Sequence, residues 1–289
     1  MRGGEPVLDR VYVEIGNICN LKCSFCPGTK RAARRMSAQE FESVCRKISG
    51  KCENVFLHVM GEPLYHPEIE EILSIAEKYS LKISLTTNGT LLSSRRELLL
   101  RYADILHRVS ISLHAPEGNG KSIGKGYLSS AISFAKEMAP QGVNVIFRLW
   151  NLDTSERAGQ SSENAYIEDE LHREYPEEWQ KRYSGYRIAY RTFLEYDGIF
   201  VWPSESCAEG TDRARCHALK QQVAILADGT VVPCCLDSDG NIPLGNIFVS
   251  DLDEILSSEP AVAIARGFAA GKAVHPLCKK CTYRERFSR

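Results

Sequence analysis

Three cysteines near the start of the chain have the spacing of a metal site. Cys19, Cys23 and Cys26 form the pattern C-x3-C-x2-C. Thiolates are soft ligands that suit iron–sulfur clusters or zinc. A [4Fe–4S] cube has four iron corners, so three cysteines leave one iron open to another ligand. Zinc would need a fourth protein ligand, although it usually takes paired spacings. Candidates for that ligand are Cys45, Cys52 and His58.

A second set of cysteines could enclose a metal site completely. Its members are Cys216, Cys234, Cys278 and Cys281. An Asp-Gly hairpin should fold Cys234 back beside the segment that carries Cys216, and the final Cys-x-x-Cys pair would add two ligands. Four thiolates would leave no open iron in a [4Fe–4S] cluster, and structural zinc fits this spacing nearly as well. Cys235 adjoins Cys234 and could replace it.

Composition and charge argue against nucleic-acid binding, membrane binding and a disulfide-stabilised fold. The chain has 289 residues, is 43% hydrophobic and carries a formal net charge of -1. This balance gives no general attraction to nucleic acid or acidic lipid. No apolar stretch approaches about 18 residues and no secretory signal is present, so we expect a cytoplasmic protein with no membrane partner. Thiols stay reduced there, and eleven cysteines therefore favour metal binding or catalysis over disulfides.

Hydrophobic periodicity predicts an α/β fold. Short β-branched runs alternate with longer amphipathic segments through the first half of the chain. The predicted strands are 11–15, 55–59, 83–87, 109–113 and 143–149, with a sixth within 187–202. The predicted helices lie near 37–49, 67–79, 94–102 and 127–138. This order predicts a parallel sheet with helices outside it, as a partial (β/α)6 TIM-like barrel.

The last third of the chain has a different pattern. Residues 223–227 and 230–232 should pair around a two-residue type I′ turn at Asp228-Gly229. Ser250 should cap a helix, and a second helix should follow near 260–270. We therefore expect a small C-terminal β-hairpin and helix domain that binds a metal cluster.

Two polar segments lie outside this pattern. A basic run follows the first cysteine set and is expected to be a solvated loop, with substrate contact as the alternative. Its members are Lys30, Arg31, Arg34 and Arg35. Residues 151–185 are polar and predict a helical insertion that could cover a substrate pocket. Its candidate contacts are Tyr166, Glu168 and Asp169, for which surface decoration is an equal explanation.

A relaxed phosphate-loop pattern runs from Ala115 to Ser122. A working phosphate loop must lead directly into a helix whose N-terminus holds the phosphates. Gly124 and Gly126 interrupt that helix, each at a cost of about 1 kcal/mol relative to alanine. The pattern therefore does not predict nucleotide hydrolysis.

The first cysteine pattern, with Phe25 before its last cysteine, resembles the signature of the radical S-adenosylmethionine (SAM) superfamily. A second match follows the second predicted strand, where Gly61-Glu62 resembles the superfamily's Gly-Gly-Glu motif with Met60 in place of the first glycine. The resemblance implies that the amino and carboxylate groups of SAM chelate the open iron, and that Glu62 accepts a hydrogen bond from the SAM ammonium. It also implies reductive cleavage of SAM to methionine and a 5′-deoxyadenosyl radical, which takes a hydrogen atom from the substrate.

The same resemblance suggests further site residues. Asn88, Ser112 and Arg148 end the third, fourth and fifth strands, where superfamily members place polar groups that contact SAM. A turn or strand-end role is the alternative for Asn88 and Arg148. Cys207 lies between the barrel and the extension, where a thiol could return a hydrogen atom to a substrate radical. An ordinary buried or linker cysteine is the simpler interpretation.

The C-terminal region resembles a twitch domain, the shortened form of the SPASM extension of radical SAM enzymes. The resemblance is carried by residues 229–234, Gly245 with the two residues after it, and the final Cys-x-x-Cys. It implies one auxiliary [4Fe–4S] cluster in addition to the SAM-binding one. The expected domains are 1–203 for the barrel, with the insertion at 151–185, and 204–289 for the extension.

Two functions follow from these patterns. The first is a radical SAM enzyme that oxidises or modifies a peptide or a small molecule, with an electron donor such as flavodoxin or ferredoxin. The second is a non-catalytic zinc or iron–sulfur scaffold or electron carrier, which would need no contacts to SAM. Many peptide-modifying relatives carry a leader-binding domain before the barrel. About ten residues precede the first predicted strand here, which favours a small-molecule substrate without excluding a peptide.

Overall fold

Strands and helices alternate through the first half of the chain. The computed structural model describes residues 8–152, 162–198, 201–204, 206–208, 210 and 212–287. The strands are β1 (Leu8–Val13), β2 (Cys52–Phe56), β3 (Ile83–Thr87), β4 (Leu106–Ser112) and β5 (Asn144–Leu152). The helices are α1 (Ala38–Ile48), α2 (Ile69–Lys78), α3 (Leu92–Arg101) and α4 (Lys125–Met138). A capping box begins α1, because the side chains of Ser37 and Glu40 each accept a hydrogen bond from the other residue's backbone amide.

Six parallel strands form the wall of the barrel. Strands β1 to β5 pair in sequence order, and the sixth, β8 (Thr192–Gly198), pairs with β5. The sheet does not close, since its edge strands lie at opposite ends of the order. Alternate residues of β1 separate the two faces: Val11 and Val13 are fully buried in the core beneath α1, whereas Arg10 and Tyr12 line an internal cavity. The partial (β/α)6 barrel is confirmed.

The polar insertion contains a helix and two antiparallel strands. These elements are α5 (Ser162–Glu174), β6 (Gln180–Arg182) and β7 (Gly185–Ala189). Strand β7 pairs with β8 and β6 pairs with β7, so the insertion extends one edge of the barrel sheet. Part of the predicted insertion, residues 153–161, lies outside the described residues. No helix in the described parts of the chain is long and apolar enough to cross a membrane.

The C-terminal extension continues the other edge of the same sheet. Its strands are β9 (Gln222–Ile225), β10 (Thr230–Val232) and β11 (Gly245–Asn246), and its helices are α6 (Leu252–Leu256), α7 (Glu259–Ala269) and α8 (Pro276–Lys279). Strand β9 pairs in parallel with β1, and β10 folds back against β9. All eleven strands therefore form one sheet, from β11 at one edge to β6 at the other.

Three local predictions are wrong. The hairpin turn is not a two-residue type I′ turn, since only Gly229 has a left-handed φ, of 83°, and the Gly229 amide donates to the Leu226 carbonyl across a longer turn. Asp251 rather than Ser250 caps α6, because its side chain forms a capping box with Glu254. Strand β2 ends at residue 56 rather than 59, before the chain turns into the Gly61-Glu62 segment.

Candidate active site

Both cysteine sets line one cavity of about 550 Å³ inside the barrel. The lining includes the seven predicted metal ligands, Cys19, Cys23, Cys26, Cys216, Cys234, Cys278 and Cys281. It also includes the predicted SAM contacts Phe25, Gly61, Glu62, Asn88, Ser112 and Arg148. Residues separated by more than 250 positions in the chain therefore face the same space. Cys207 lies outside this lining, as do the candidate contacts in the insertion.

The first cysteine loop rests on the phosphate-loop-like segment after β4. The amide of Ser24 donates to the carbonyl of Gly118 at 2.7 Å, and the amide of Lys22 donates to Asn119 Oδ1 at 2.9 Å. The Asn119 side-chain amide also donates to Cys23 Sγ at 3.0 Å. Donors aimed at a cysteine sulfur stabilise its thiolate form. This segment therefore orients a predicted metal ligand, a role that its sequence pattern did not indicate.

The Phe25 ring packs against Gly118, whose lack of a side chain leaves room for it. A Cβ at Gly118 would lie 2.3 Å from a carbon of the Phe25 ring, so no larger residue fits there without displacing the ring. The ring packs against His114 with centroids 4.9 Å apart. Phe25 thereby forms an apolar part of the cavity wall beside the first cysteine set.

Gly61 brings the end of the second strand into contact with the cysteine loop. Its φ is 79°, and a Cβ would lie 2.3 Å from the carbonyl oxygen of Gly16 and 3.0 Å from that of Ile18. The next amide, of Glu62, donates to the Ile18 carbonyl at 3.1 Å. Glycine is required here both by the left-handed backbone and by the close approach of two chain segments.

A Gly61→Ala variant is expected to lose at least about 2 kcal/mol of stability, because left-handed strain and a backbone clash act together. Gly142→Ala is the matched control, since Gly142 also has a left-handed φ, of 93°, but nothing lies within 4 Å of its added Cβ. Urea unfolding of both variants separates strain from close approach. Equal losses in the two variants would show that the contact with Gly16 is unimportant.

The Glu62 carboxylate is buried and fixed by backbone amides. Its residue is 4% exposed. Oε2 accepts from the Asn88 amide at 2.7 Å, and Oε1 accepts from the Leu64 amide at 3.1 Å. Burial raises the pKa of Glu62 to about 6, against the opposing effect of these hydrogen bonds. The group is therefore mainly an anion at neutral pH and has capacity to accept from a ligand ammonium.

A polar network joins the ends of β3 and β4 to the first cysteine loop. The Asn88 side-chain amide donates to Asn20 Oδ1 at 2.8 Å, and Asn20 donates to Thr90 Oγ1 at 2.9 Å. The Tyr127 hydroxyl lies within hydrogen-bonding distance of the carbonyls of Asn88 and Ser112, at 2.8 and 3.2 Å. Sequence patterns identified Asn88 and Ser112 but missed Asn20 and Tyr127, which belong to no recognised motif.

A buried ion pair ties the first cysteine loop to the extension. Arg31 donates to both oxygens of Glu14 at 2.7 Å, and the Glu14 residue is fully buried. Glu14 also accepts from the amides of Met60 and Ala227, and Arg31 Nε donates to the Ser238 carbonyl at 2.8 Å. The expectation of a solvated loop is wrong for Arg31, because its charge is neutralised by a carboxylate inside the protein.

The second cysteine set is enclosed more fully than the first. Burial raises the pKa of Cys234 well above its ordinary value, and the neighbouring thiols of Cys235, Cys216 and Cys278 raise it further. Arg284 opposes the same effects at Cys216 and Cys278. Buried thiols with raised pKa values stay protonated at neutral pH unless a bound metal replaces their protons. The donor set therefore fits a closed metal cluster.

Cys234 and Cys235 are alternative candidates for one ligand of this set. Cys235 also lines the cavity, and burial raises its pKa to about 11 while a hydrogen bond with Tyr12 lowers it. Within the described residues, no three Cys, His, Asp or Glu side chains converge on a site for a single metal ion. The seven thiols are instead distributed along the cavity wall.

The remaining candidates lie away from the cavity lining. Cys207 Sγ is 3.2 Å from Ser204 Oγ and 3.5 Å from the Trp202 carbonyl oxygen, and its role as a hydrogen donor stays a prediction. In the insertion, Glu168 accepts from the Tyr196 hydroxyl at 3.0 Å and so holds α5 against β8. Tyr166 packs against the barrel core.

Two known families match this chain. The Radical SAM superfamily matches residues 13–153, and SPASM, an iron–sulfur cluster-binding domain, matches residues 216–282. A probable GTP 3',8-cyclase of Pyrococcus abyssi is 34% identical over 114 residues, which is 39% of this chain and 36% of the cyclase. The chain thus spans about a third of the length of this relative.

Solved structures share the fold over nearly the whole chain. Streptococcus suis SuiB bound to the precursor peptide SuiA is 17% identical, with a TM-score of 0.60, and the match covers 98% of this chain and 74% of SuiB. BtrN in complex with AdoMet and 2-DOIA is 15% identical, with a TM-score of 0.59, and the match covers 96% of this chain and 94% of BtrN.

The family matches include the residues around which the cavity is built. The superfamily match contains the first cysteine set and Gly61-Glu62, and the SPASM match runs from Cys216 past Cys281. The expected cofactors, SAM and two [4Fe–4S] clusters, are those of these two families. The chain therefore contains a radical SAM domain at residues 13–153 and a SPASM iron–sulfur cluster-binding domain at residues 216–282.

Proposed function

We propose that this protein is an enzyme that cleaves SAM reductively and abstracts a hydrogen atom from a peptide or a small molecule. The observation that carries the proposal is the shared cavity, whose lining contains a three-thiol set, the buried Glu62 carboxylate near Cys19, and a four-thiol set. With its cofactors bound, the site would supply one electron that splits SAM into methionine and a 5′-deoxyadenosyl radical.

The residues around the first cysteine set would bind and orient SAM. Cys19, Cys23 and Cys26 would hold the cluster and leave one iron for the SAM amino and carboxylate groups. Glu62 would accept a hydrogen bond from the amino group, because its carboxylate is already fixed by two backbone amides. Asn88 and Ser112 would contact SAM from the neighbouring strand ends. The resemblance assigns Arg148 a similar role, but its guanidinium stacks on Trp150 and lies near Tyr12 and Tyr283.

The second cysteine set would make a net oxidation possible. Hydrogen abstraction leaves a substrate radical, and loss of one electron and one proton from that radical completes a two-electron oxidation. A cluster on Cys216, Cys234, Cys278 and Cys281 could accept that electron because it opens onto the same cavity. A double variant, Cys216→Ser with Cys234→Ser, that folds and turns over substrate normally would remove this role.

Two substrate classes remain, and the structural neighbours include one of each. SuiB was solved with a precursor peptide, and BtrN was solved with 2-DOIA. A cavity of about 550 Å³ is within the usual range for a small-molecule site, and a peptide side chain would also enter it. Cys207 would serve as hydrogen donor only in a reaction that returns a hydrogen atom to the substrate.

Anaerobic reconstitution tests the proposed function directly. Protein with two cubane clusters should contain about eight irons per chain. After reduction with dithionite it should convert SAM to methionine and 5′-deoxyadenosine, measured by liquid chromatography. A protein that carries zinc alone, or one that carries iron and never releases 5′-deoxyadenosine, would instead be the scaffold or electron carrier that the cysteine content also allows.

A further inference from the structure

Among the described residues, Arg148 on the inside of the barrel has no carboxylate within 4 Å, and the Nε of Arg108 on the same cavity lining also has no hydrogen-bond partner. Arg148 projects from β5 into the cavity, and its guanidinium carbon lies 3.3 Å from the centre of the Trp150 ring. Its Nε is buried without a hydrogen-bond partner. Burial lowers the pKa of Arg148 to about 10, so the group remains a cation at neutral pH. A buried charge that forms no ion pair is unfavourable unless a ligand compensates it.

His58 has an unused ring nitrogen on the same cavity wall. It follows β2, and its Nδ1 is buried without a partner. The ring is held by edge contacts with Tyr12 and Phe56, at centroid distances of 5.7 and 6.0 Å. Burial lowers the pKa of His58 to about 3, and the nearby charge of Arg148 acts in the same direction. The neutral imidazole can therefore donate one hydrogen bond without adding charge.

Two carboxylates, Glu195 and Asp197, act on Arg148 and raise its pKa against the effect of burial, but neither forms an ion pair with it among the described residues. Glu195 is its partner in the register of β5 and β8, but no ion pair within 4 Å joins their side chains among the described residues. Asp197, the next carboxylate on β8, is paired with Arg286. The cation beside the second cysteine set is Arg284, which acts on Cys216 and Cys278.

We propose that Arg148 and His58 form a binding site for one anionic group of the substrate, a carboxylate or a phosphate. This inference rests on the proposed function and adds the substrate's charge to it. The planar guanidinium offers a fork of donors that matches the oxygens of either group, and stacking on Trp150 fixes the plane of that fork. The imidazole N–H of His58 would supply one further donor.

The position of this pair suits a substrate anchor. Arg148 lies near Tyr12 and Tyr283, and its carbonyl oxygen is 3.0 Å from Nδ1 of His114, whose ring packs on Phe25. Anchoring one end of a substrate in this way fixes which of its hydrogen atoms meets the radical.

The test is calorimetric titration of anaerobically reconstituted protein, saturated with SAM, with inorganic phosphate and with acetate separately. One of these probes should bind at a single site per chain, and the stronger one identifies the substrate's group. Arg148→Gln should weaken that binding about 10- to 100-fold, because a charge-assisted fork is lost. His58→Gln should weaken it about three- to tenfold. Arg148→Lys, which keeps the charge without the fork, should give an intermediate loss.

Two further variants serve as controls. Glu195→Gln should maintain or strengthen anion binding, because a negative charge beside the site is removed. Arg173→Gln should have no effect, since Arg173 pairs with Glu170 on the outer surface of α5.

Three outcomes would overturn the inference. These are no binding of either probe, equal binding by Arg148→Gln and wild type, or binding of the anion only when SAM is omitted, which would assign Arg148 to SAM itself. Measurements on the wild-type protein distinguish failure of this inference from failure of the proposed function. Protein that forms 5′-deoxyadenosine but binds neither anion loses only the anchor, whereas protein that forms none loses the enzyme assignment.

Discussion

A Cys23→Ser variant is expected to lose about four of its eight irons and all formation of 5′-deoxyadenosine. A serine oxygen is a poor substitute for thiolate on iron. The hydrogen bond from Asn119 to Cys23 Sγ, which stabilises the thiolate, is lost with the sulfur. The second cysteine set is built from other segments and should keep its cluster. Iron analysis, electron paramagnetic resonance of the reduced protein and product chromatography measure these losses separately.

Cys45→Ala provides the matched control for this variant. Cys45 is fully buried among the apolar residues of α1 and does not line the cavity. Its removal should cost some packing energy but no iron and no activity. If Cys23→Ser retained its full iron content, the assignment of the first cluster to Cys19, Cys23 and Cys26 would be wrong.

An Arg31→Met variant is expected to lower the free energy of unfolding by about 3–5 kcal/mol. The substitution leaves the fully buried Glu14 carboxylate without its cation, and Glu14 also holds the amides of Met60 and Ala227. The loss should appear in urea unfolding of the metal-free protein. Loading of the first cluster should fall as well, because Arg31 fixes the loop that carries its ligands.

A surface ion pair gives the comparison for Arg31. Arg101 pairs with Glu70 where both side chains are more than half exposed, so Arg101→Met should cost about 0–1 kcal/mol. Adding Glu14→Gln to Arg31→Met should recover part of the stability, since the unpaired charge is then removed. Equal losses for Arg31→Met and Arg101→Met would contradict a structural role for the buried pair.

Local signals and the family resemblance were sufficient to predict the barrel and to name many of the residues that line the cavity. Strand and helix positions follow from the spacing of apolar residues, and Cys19, Cys23 and Cys26 lie within one short loop. Glu62 and Asn88 were suggested by the resemblance to the radical SAM superfamily, and parallel strands bring their carboxyl ends to one edge. The structure then showed that these residues are hydrogen-bonded to each other.

The missed features depend on contacts between distant parts of the chain. A run of basic residues does not reveal that Arg31 faces Glu14, although a glutamate within the apolar sequence of the first strand was a usable sign of a buried partner. Asn119 was overlooked because its segment resembles a phosphate loop, and its actual partner, Cys23, lies 96 positions away. The parallel pairing of β9 with β1 joins residues more than 200 positions apart, for which no local pattern exists.

That pairing has a consequence for any attempt to shorten the protein. Removing the extension would expose the backbone amides and carbonyls along one side of β1, together with the apolar residues that β9 covers. Exposed edge strands can pair with strands of other chains through their free backbone hydrogen-bonding groups. A truncated barrel should therefore self-associate rather than remain a folded monomer. The two cluster-binding regions would have to be retained together in one chain.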